Sequence, residues 1–410
     1  MNTILQVNSV LNYGSTGKIV EQISATALSH KWNSLVAHGV KYLRPSQQLE
    51  FIIGNKWDIH KHEALSLLLD RHGLGSRKPT KDLIKWISDL NPDVIHLHNI
   101  HNYYLNYPIL FEYLKTIKTP IVWTFHDCWP FTGHCSYFDM VGCDKWRSGC
   151  GNCPGLKVYP RSLFLDRSRY NFQEKERRFT AISDRLTIVP VSNWLEGFIK
   201  QSFLKSATIK TIHNGIDLNV FCPKDTSGLK DRLGIGDKAV VIGVALPWTP
   251  RKGLNDMYKL AELLPKDSYQ IVVVGLSEKQ YRECPKGVIG VQKTNSASEL
   301  AEYYSLATVF VNPTYEDNYP TTNLEAMACG TPVITYNTGG SPEAVTEDTG
   351  WVVDQGDVMR VANIIKEMGQ KNRDELLVQR QACRIRSEQE FDKDKCFEKY
   401  VDLYEELLSL

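Results

Sequence analysis

The amino-acid sequence predicts an α/β protein made of two doubly wound domains. Its 410 residues exceed the size at which one hydrophobic core usually keeps growing, so two domains of about 200 residues each are expected. Hydrophobic residues make up 42% of the chain and charged residues 23%, which is typical of a globular protein with sizeable cores. Short β-branched runs alternate with longer helical patterns in both halves, as in βαβ units with parallel sheets.

The β-branched runs define two predicted sheets. Three runs lie in the first half and three in the second: residues 94–97, 121–125 and 188–191, then 240–243, 271–274 and 333–335. Strands that are covered on both faces read as such near-continuous apolar runs. Parallel sheets bind ligands at the carboxyl ends of their strands. We therefore expect two Rossmann-like domains that face a central cleft.

A polar stretch with Pro and Gly, residues 223–228, marks the predicted domain boundary near residue 222. The first domain then spans 1–222, with a Cys-rich insertion near 128–153, and the second spans 223–385. Residues 386–410 read as a terminal helix that returns to the first domain. Five large apolar residues recur there at helical spacing: Phe397, Tyr400, Val401, Leu403 and Tyr404.

Charge and hydropathy exclude several classes of protein. The 48 Lys and Arg residues balance 47 Asp and Glu residues, so no strong field favours nucleic acid, and no nucleic-acid partner is expected. The N-terminus lacks the basic region and apolar run of a signal peptide. No stretch approaches the roughly eighteen apolar residues of a membrane span. The sequence predicts a cytoplasmic protein, with at most peripheral contact with the inner membrane.

A polar loop runs into a predicted helix in the second domain. Loop 312–320 follows an apolar strand, and the helix after it carries Glu325 in its first turn. Thr322 and Glu325 fit a Thr-x-x-Glu capping box, which is the structural interpretation of this carboxylate. The functional alternative is a nucleotide site. A helix N-terminus also collects diphosphate, and a carboxylate one turn inside can accept hydrogen bonds from ribose hydroxyls.

This loop, residues 325–334 and residues 338–343 resemble the donor-binding region of glycosyltransferase family 4, whose members have the two-domain GT-B fold. The resemblance implies a retaining enzyme with two acidic residues eight positions apart, the first at the donor sugar and the second at the ribose. Glu325 matches the second of these acidic residues, the one at the ribose. Asp317 stands eight positions before it, where the family usually has Glu. Spacing favours Asp317, whereas a slipped loop would present its neighbour Glu316.

Basic and glycine residues complete the donor site that the resemblance implies. Arg251 and Lys252 match the segment that the family places against the donor diphosphate, where cations stabilise the leaving group. Many members carry an Arg directly after the preceding strand, where Ala245 stands here, so Arg251 is expected to substitute for it. Gly339 and Gly340 belong to the later donor-binding segment.

Two features of the first domain match family segments near the donor and the acceptor. Gly14 and Gly17 form a Gly-rich turn at a predicted helix start. A Walker A loop needs four residues between its glycines, so a nucleotide triphosphatase is not expected. His126 follows a predicted strand, where the family carries a His that contacts the donor sugar. A lone His is more often structural, but this strand-end position favours the functional interpretation.

The Cys-rich insertion contains five of the ten cysteines. Four of them are compatible with a tetrahedral structural zinc ion: Cys135, Cys143, Cys150 and Cys153. His134 or Cys128 could replace one ligand. Free thiols and a local disulfide are the alternatives, and a reducing cytosol disfavours the disulfide.

Residues 157–185 contain eight basic and four acidic residues, interleaved with aromatic side chains. They predict either a solvated helix over the first sheet or an interfacial helix with a basic face and aromatic anchors. The second interpretation suits an acceptor carried on a lipid.

The resemblance thus implies a retaining glycosyltransferase that moves a sugar from a UDP or GDP donor to a growing, lipid-linked polysaccharide or O-antigen acceptor. The sequence resembles enzymes of bacterial polysaccharide assembly, such as the colanic acid glycosyltransferases. No cofactor is expected for catalysis, because the departing diphosphate is thought to assist attack on the same face. Two alternatives stay open: a GT-B nucleotide-sugar epimerase, which needs no acceptor, and a non-catalytic sugar-binding subunit.

Overall fold

The chain forms two compact units in a computed structural model, which describes residues 1–40, 45–46 and 48–409. The first unit comprises Met1–His213 and Cys396–Leu410, and the second comprises Asn214–Lys395. Each unit is built on one sheet of parallel strands with helices packed on it. The predicted α/β class with two Rossmann-like domains is confirmed.

Seven strands form the sheet of the first unit: β1 (Thr3–Asn8), β2 (Asn33–Gly39), β3 (Leu49–Ile53), β4 (Val94–Leu97), β5 (Ile121–Phe125), β6 (Leu186–Pro190) and β7 (Thr208–Ile209). Their order is β3-β2-β1-β4-β5-β6-β7, and every neighbouring pair is parallel. The order reverses between β1 and β4, so the carboxyl ends of these strands form a topological switch point.

Seven helices accompany this sheet: α1 (Gly14–Ser29), α2 (Lys56–Leu69), α3 (Arg77–Leu90), α4 (Tyr107–Leu114), α5 (Ser168–Phe179), α6 (Asn193–Ile199) and, at the end of the chain, α14 (Lys393–Ser409). Every residue of β4 and β5 is buried, because helices cover both faces of the sheet centre. The edge strand β3 is largely exposed.

Six strands form the sheet of the second unit: β8 (Ala239–Val244), β9 (Tyr269–Val274), β10 (Val288–Val291), β11 (Val309–Asn312), β12 (Val333–Tyr336) and β13 (Gly350–Val353). Their order is β10-β9-β8-β11-β12-β13, again all parallel. The helices are α7 (Ser227–Leu233), α8 (Leu254–Leu263), α9 (Glu278–Arg282), α10 (Ala297–Leu306), α11 (Thr321–Ala328), α12 (Val358–Met368) and α13 (Arg373–Glu390). The switch point lies between β8 and β11.

The predicted terminal helix 386–410 is two helices in the structure, because α13 ends at Glu390 and α14 begins at Lys393. From Cys396 onward α14 belongs to the first unit. Its apolar face joins the core beneath β1, β4 and β5, where Tyr400 and Tyr404 are buried. The Tyr404 hydroxyl lies 2.7 Å from Nδ1 of His96, so the helix also meets a polar group inside the sheet.

The first unit ends before the predicted boundary near residue 222. Residues 214–222 pack on the second unit, where the Ile216 N–H donates to the Phe391 carbonyl at 2.8 Å. The ring of Phe221 also lies against Tyr304, with centroids 6.3 Å apart. These contacts explain why the chain changes unit at Asn214. None of the helices in the described part of the chain is long and apolar enough to cross a membrane.

Candidate functional site

Three loops meet at the carboxyl edge of the second sheet. They follow β8, β11 and β12, which are neighbours in that sheet, so their ends lie side by side. The first contains the short 3-10 helix Pro250–Lys252, the second is loop 313–320, and the third contains residues 337–340. This edge is where a doubly wound sheet holds its ligand.

Two glycines allow these loops to approach one another closely. A Cβ atom at Gly253 would lie 2.0 Å from the Pro313 carbonyl oxygen, and one at Gly339 would lie 1.8 Å from the Asp317 carbonyl oxygen. Both glycines have positive φ, +75° and +55°, which other residues rarely adopt. The Gly340 N–H donates to the Asn318 carbonyl at 2.7 Å. The predicted Gly339 and Gly340 therefore hold the third loop against the second.

Arg251 is tied into the loop after β11. Its guanidinium donates to the Glu316 carbonyl at 2.7 Å, and its own carbonyl accepts from the Tyr315 N–H at 2.7 Å. The Thr314 hydroxyl lies 3.2 Å from the carbonyls of both Arg251 and Glu316. Arg251 thus shapes the backbone of the loop that carries the two acidic residues.

Lys252 forms an ion pair with Asp317. Their side chains are 21% and 15% exposed. Burial alone would raise the pKa of Asp317, but the charges of Lys252 and Arg251 outweigh it and hold that pKa below its usual value. The carboxylate also accepts from the Asn318 N–H at 3.0 Å. Glu316 is 4% exposed, so Asp317 is the more accessible of the two carboxylates.

The capping-box interpretation of Glu325 is wrong. Helix α11 begins at Thr321, one residue before Thr322, and Pro320 precedes it without a side-chain cap. Proline at this place sets the backbone for the helix start and offers no side-chain acceptor. The Glu325 carboxylate instead accepts from the Tyr304 hydroxyl at 3.1 Å. The first turn of α11 therefore has N–H groups that no capping side chain satisfies.

Asn323 fixes the start of α11 to the neighbouring strand and loop. Its amide oxygen accepts from the Asn312 amide at 2.8 Å, and its amide nitrogen donates to the Ser341 carbonyl at 3.3 Å. This role of Asn323 was not predicted, although an Asn inside the first turn of a helix is an available signal.

The predicted glycines of the first unit lie at the start of α1. Gly14 has φ +63° and opens the helix after Tyr13, whose side chain makes no capping hydrogen bond. A Cβ atom at Gly17 would lie 3.2 Å from the Asn12 nitrogen, so Gly17 lets the loop after β1 fold back on the helix. The structure thus places both glycines at the switch point of the first sheet.

His126 ends a hydrogen-bonded row of side chains at that switch point. Its Nε2 lies 3.2 Å from Nδ1 of His98, and Nε2 of His98 lies 3.0 Å from the amide oxygen of Gln6. The Gln6 amide nitrogen donates to the Val20 carbonyl at 3.2 Å and to Ser24 at 2.7 Å, which fixes the orientation of the amide.

This row fixes the tautomers of both histidines. The Gln6 oxygen can only accept, so Nε2 of His98 carries the proton and its Nδ1 accepts from Nε2–H of His126. Burial lowers the pKa of His126 to about 4 and that of His98 well below its ordinary value, so both rings are neutral. His126 therefore keeps a lone pair on Nδ1, which can accept from a hydroxyl group.

The first unit contains a second polar cluster, which was not predicted. Nε2 of His101 lies 3.0 Å from Asp127, and its Nδ1 lies 3.0 Å from the Tyr159 hydroxyl. The two residues after His101 both have positive φ, +82° at Asn102 and +66° at Tyr103. Such strained backbone clusters at binding sites. The dipeptide of His126 and Asp127 was a usable signal for this cluster.

The four predicted zinc ligands line one cavity in the first unit, together with His134: Cys135, Cys143, Cys150 and Cys153. All ten cysteines are free, so the structure contains no local disulfide. Burial raises the pKa of Cys135, and it raises that of Cys153 to about 12. Cys128 does not line the cavity.

The predicted helix over residues 157–185 is shorter in the structure, because α5 spans only Ser168–Phe179. Phe172 and Phe179 are buried in the core, and so is Lys175. The Lys175 ammonium donates to the carbonyls of Trp129 at 2.6 Å and Thr132 at 2.9 Å. A continuous basic face with aromatic anchors is therefore wrong for α5.

Two Rossmann-like domains with strand-end loops of this kind define the GT-B class of glycosyltransferases. Residues 35–220 match the family model for Glycosyltransferase Family 4, and residues 228–383 match that for Glycosyl transferases group 1. The chain belongs to this family of glycosyltransferases. The resemblance predicted from the donor-binding segments is confirmed.

Individual relatives agree with this assignment. The WcaC protein of Escherichia coli (strain K12), named for glycosyl transfer in colanic acid biosynthesis, is 25% identical over 330 residues, 77% of each chain. Among solved structures, sucrose-phosphate synthase from Thermosynechococcus elongatus has a TM-score of 0.72 at 16% identity and covers both chains fully. Anabaena HepE, solved with UDP-glucose, has a TM-score of 0.67 at 14% identity, covering 98% of this chain and 99% of HepE.

Proposed function

We propose that this glycosyltransferase transfers a sugar, with retention of anomeric configuration, from a UDP- or GDP-sugar to a growing, lipid-linked polysaccharide. The observation that carries the proposal is the carboxyl edge of the second sheet, where Lys252, Asp317 and the uncapped start of α11 come together. That edge offers a diphosphate a cation and a helix start whose N–H groups no side chain caps. The UDP-glucose found with HepE supports a nucleotide-sugar donor.

Each donor group has a candidate partner at this edge. In the proposal, Lys252 and the first turn of α11 bind the diphosphate, and Glu325 accepts from the ribose hydroxyls. Asp317 contacts the sugar, and Arg251 positions the loop that presents it. The accessible carboxylate of Asp317, compared with the buried Glu316, supports this choice between the two acidic residues.

The proposed chemistry needs no group beyond donor and acceptor. The acceptor hydroxyl oxygen attacks the anomeric carbon from the face that the diphosphate leaves. The bond from that carbon to the diphosphate oxygen breaks, and the hydroxyl proton passes to the departing phosphate. Lys252 stabilises the charge that develops on the leaving group.

A loop in the first unit supports contact with a lipid surface. Six large apolar or aromatic side chains are exposed between residues 158 and 170: Val158, Tyr159, Leu163, Phe164, Leu165 and Tyr170. Phe164 is the most exposed, at 73%. Lys157, Arg161 and Arg169 stand among them, so apolar and basic groups are combined as in peripheral membrane anchors. The relation to WcaC supports a polysaccharide acceptor.

The function is tested by incubating the protein with UDP- and GDP-sugars, with and without lipid-linked glycan acceptors. We expect nucleotide release only when donor and acceptor are both present, and NMR of the product should show the donor's anomeric configuration. Conversion of the donor without acceptor would identify an epimerase instead. Donor binding without any turnover, over a full panel of acceptors, would support a sugar-binding subunit.

Membrane contact is tested by sedimentation with anionic phospholipid vesicles. We expect the wild-type protein to sediment with them and the variant Phe164→Ser/Leu165→Ser to stay in solution. Trp57→Ser is the matched control, because Trp57 is 83% exposed but lies outside this loop. Equal sedimentation of all three proteins would contradict the proposed contact.

A further inference from the structure

A small cavity in the first unit is walled by sulfur and imidazole groups. It encloses about 10 Å³, which is room for one body the size of a water molecule. Its walls include the four free thiols of the Cys-rich insertion and the ring of His134. No sugar or nucleotide fits so small a space, so its natural occupant is an ion or a water molecule.

His134, which lines this cavity, has a buried ring nitrogen without a hydrogen-bond partner among the described residues. Its Nδ1 lies 2.7 Å from Asp70, and both side chains are 1% exposed. The other carboxylate oxygen of Asp70 accepts from the Arg167 N–H at 2.7 Å. Because a carboxylate accepts, Nδ1 of His134 carries the ring proton, which leaves a lone pair on Nε2.

That lone pair is an unsatisfied buried acceptor. Nε2 of His134 is buried and has no hydrogen-bond partner among the described residues. A buried acceptor without a partner costs free energy that a bound ion would recover. A carboxylate on one ring nitrogen and a metal on the other is the usual arrangement of histidine ligands.

The surroundings of the thiols also suit a cation bound by thiolates. The Gly133 N–H donates to the Cys150 sulfur at 3.2 Å. Two residues separate Cys150 from Cys153, in a turn where Asn152 has φ +48°, and this spacing is common in zinc knuckles. The buried Nζ of Lys175 contacts the Trp129 and Thr132 carbonyls. Burial lowers the pKa of Lys175 to about 7, and thiolates at Cys150 and Cys135 would raise it and favour the ammonium form.

We infer that this cavity is a tetrahedral zinc site, with the thiolates of Cys135, Cys150 and Cys153 and Nε2 of His134 as ligands. Zinc is the metal that favours this set of sulfur and nitrogen donors. Three thiolates and Zn²⁺ carry one net negative charge, which Lys175 offsets. Asp70 positions His134. The ion holds the irregular segment around residues 132–154 to α2 and α5.

When zinc binds, the Cys and His side chains that line the cavity must move closer together. In the arrangement shown, no three His, Cys, Asp or Glu side chains of the described residues already form a group that could hold a metal. Each thiol turns about one side-chain bond, so its sulfur can approach a bound ion without a shift of the backbone. Cys143, the predicted fourth thiol, lines the same cavity and is half-buried like Cys150 and Cys153, whereas the buried Nε2 of His134 has no hydrogen-bond partner in the described part of the chain. His134 therefore takes its place.

The test is metal analysis of the full-length protein and of single variants, with Zn²⁺ and then Co²⁺ as probes. We expect one zinc per wild-type chain, and a cobalt spectrum with sulfur charge-transfer bands and strong tetrahedral bands. His134→Gln and Cys153→Ser should weaken zinc binding at least tenfold, and Asp70→Asn by ten- to a hundredfold. Cys143→Ser is the matched control and should bind like the wild type.

Two results would overturn the inference. One is a wild-type protein that binds no stoichiometric zinc even after incubation with Zn²⁺. The other is zinc lost in Cys143→Ser but retained in His134→Gln, which would refute the ligand assignment. Should the cysteine variants fail to fold, the cobalt spectrum of the wild type alone decides, since absent sulfur bands contradict thiolate ligands. The readouts do not depend on transferase activity.

Discussion

Lys252 and Asp317 form an ion pair that joins the loop after β8 to the loop after β11. Both side chains are mostly shielded from solvent, so the pair is better protected from screening by salt than an exposed one. A donor diphosphate would compete with Asp317 for the lysine. In our account the pair keeps Lys252 in place until the donor binds.

Replacing Asp317 separates sugar recognition from nucleotide binding. We expect Asp317→Asn to lower kcat/KM for the nucleotide sugar about ten- to a hundredfold, the equivalent of one hydrogen bond to a charged group. The affinity for the free nucleoside diphosphate should stay the same or rise, because Lys252 loses its anionic partner. Steady-state kinetics and calorimetric titration measure the two quantities. Glu316→Gln is the comparison, and a larger loss of kcat/KM there than in Asp317→Asn would assign the sugar to Glu316.

Substituting Gly339 tests the close approach of the site loops. Gly339→Ala places a methyl group against the Asp317 carbonyl at positive φ, so we expect donor binding to be lost and the second unit to unfold at lower temperature. Gly234→Ala is the matched control. Gly234 also has positive φ, +62°, but open space around it. The Gly234→Ala substitution should therefore lower the free energy of unfolding by only about 1 kcal/mol. Equal effects on the melting temperature in the two variants would contradict the steric account.

Stability should fall in mild acid because of buried neutral histidines. Burial lowers the pKa of His62 to about 4, from 6.5. Its Nε2 accepts from the N–H groups of Gly73 and Gly75, both at 3.1 Å, so the folded protein needs the neutral ring. Between these pKa values the unfolded chain binds the extra proton. The neutral ring contributes its full stabilisation above pH 6.5, and the protein loses stability as the pH falls towards 4. The loss in the free energy of unfolding from this one group is on the order of 3 kcal/mol.

The measurement is the melting temperature as a function of pH for the wild type and for His62→Gln. The glutamine oxygen can accept the same N–H groups but does not titrate, so the variant should lose less stability between pH 6.5 and 4. The melting temperature of the variant should still fall with pH, because burial also lowers the pKa values of other histidines: His72, His96, His98 and His126. If the melting temperature fell equally with pH in the wild type and in His62→Gln, His62 would not contribute to the loss of stability in acid.

The tautomer of His126 is open to direct observation. We expect ¹⁵N NMR of histidine-labelled protein to show the proton on Nε2 of His126 and a bare Nδ1. Gln6→Met removes the acceptor that fixes His98, so His126 should become a mixture of tautomers and kcat/KM should fall two- to tenfold. Ser24→Ala leaves the Gln6 oxygen in place and should change neither. A proton on Nδ1 in the wild type would contradict the assignment.

Much of the fold follows from the sequence because buried parallel strands must be apolar. Each of the six predicted runs overlaps a strand of the two sheets. Edge strands were harder to predict. In β3 four of the five residues are at least partly exposed, although all but Glu50 are apolar, and β7 contains only two residues. The end of α13 at Glu390 also had no local signal, since the break depends on the pairing of Ile216 with Asp392.

The candidate site was predictable only where short motifs carry it. The acidic, basic and glycine residues of the second unit were found through family resemblance, and the structure brings Arg251, Lys252, Asp317 and Gly339 to one edge. The error at Thr322 arose because the pattern for a capping box does not reveal which residue begins the helix. Lys175 looked like part of a solvated basic run. Its burial depends on carbonyl groups far away in sequence, which composition does not show.

The most direct test of the donor site is calorimetric titration of UDP- and GDP-sugars into the wild type and into Lys252→Met. Lys259→Met is the control, because Lys259 lies on α8 of the same unit and is 65% exposed. Our account predicts saturable binding of one donor per chain in the wild type and the control. In Lys252→Met we expect binding ten- to a hundredfold weaker, since a charge-assisted bond to phosphate is lost. Equal affinity in Lys252→Met and the wild type, or no saturable binding of either nucleotide sugar, would contradict it.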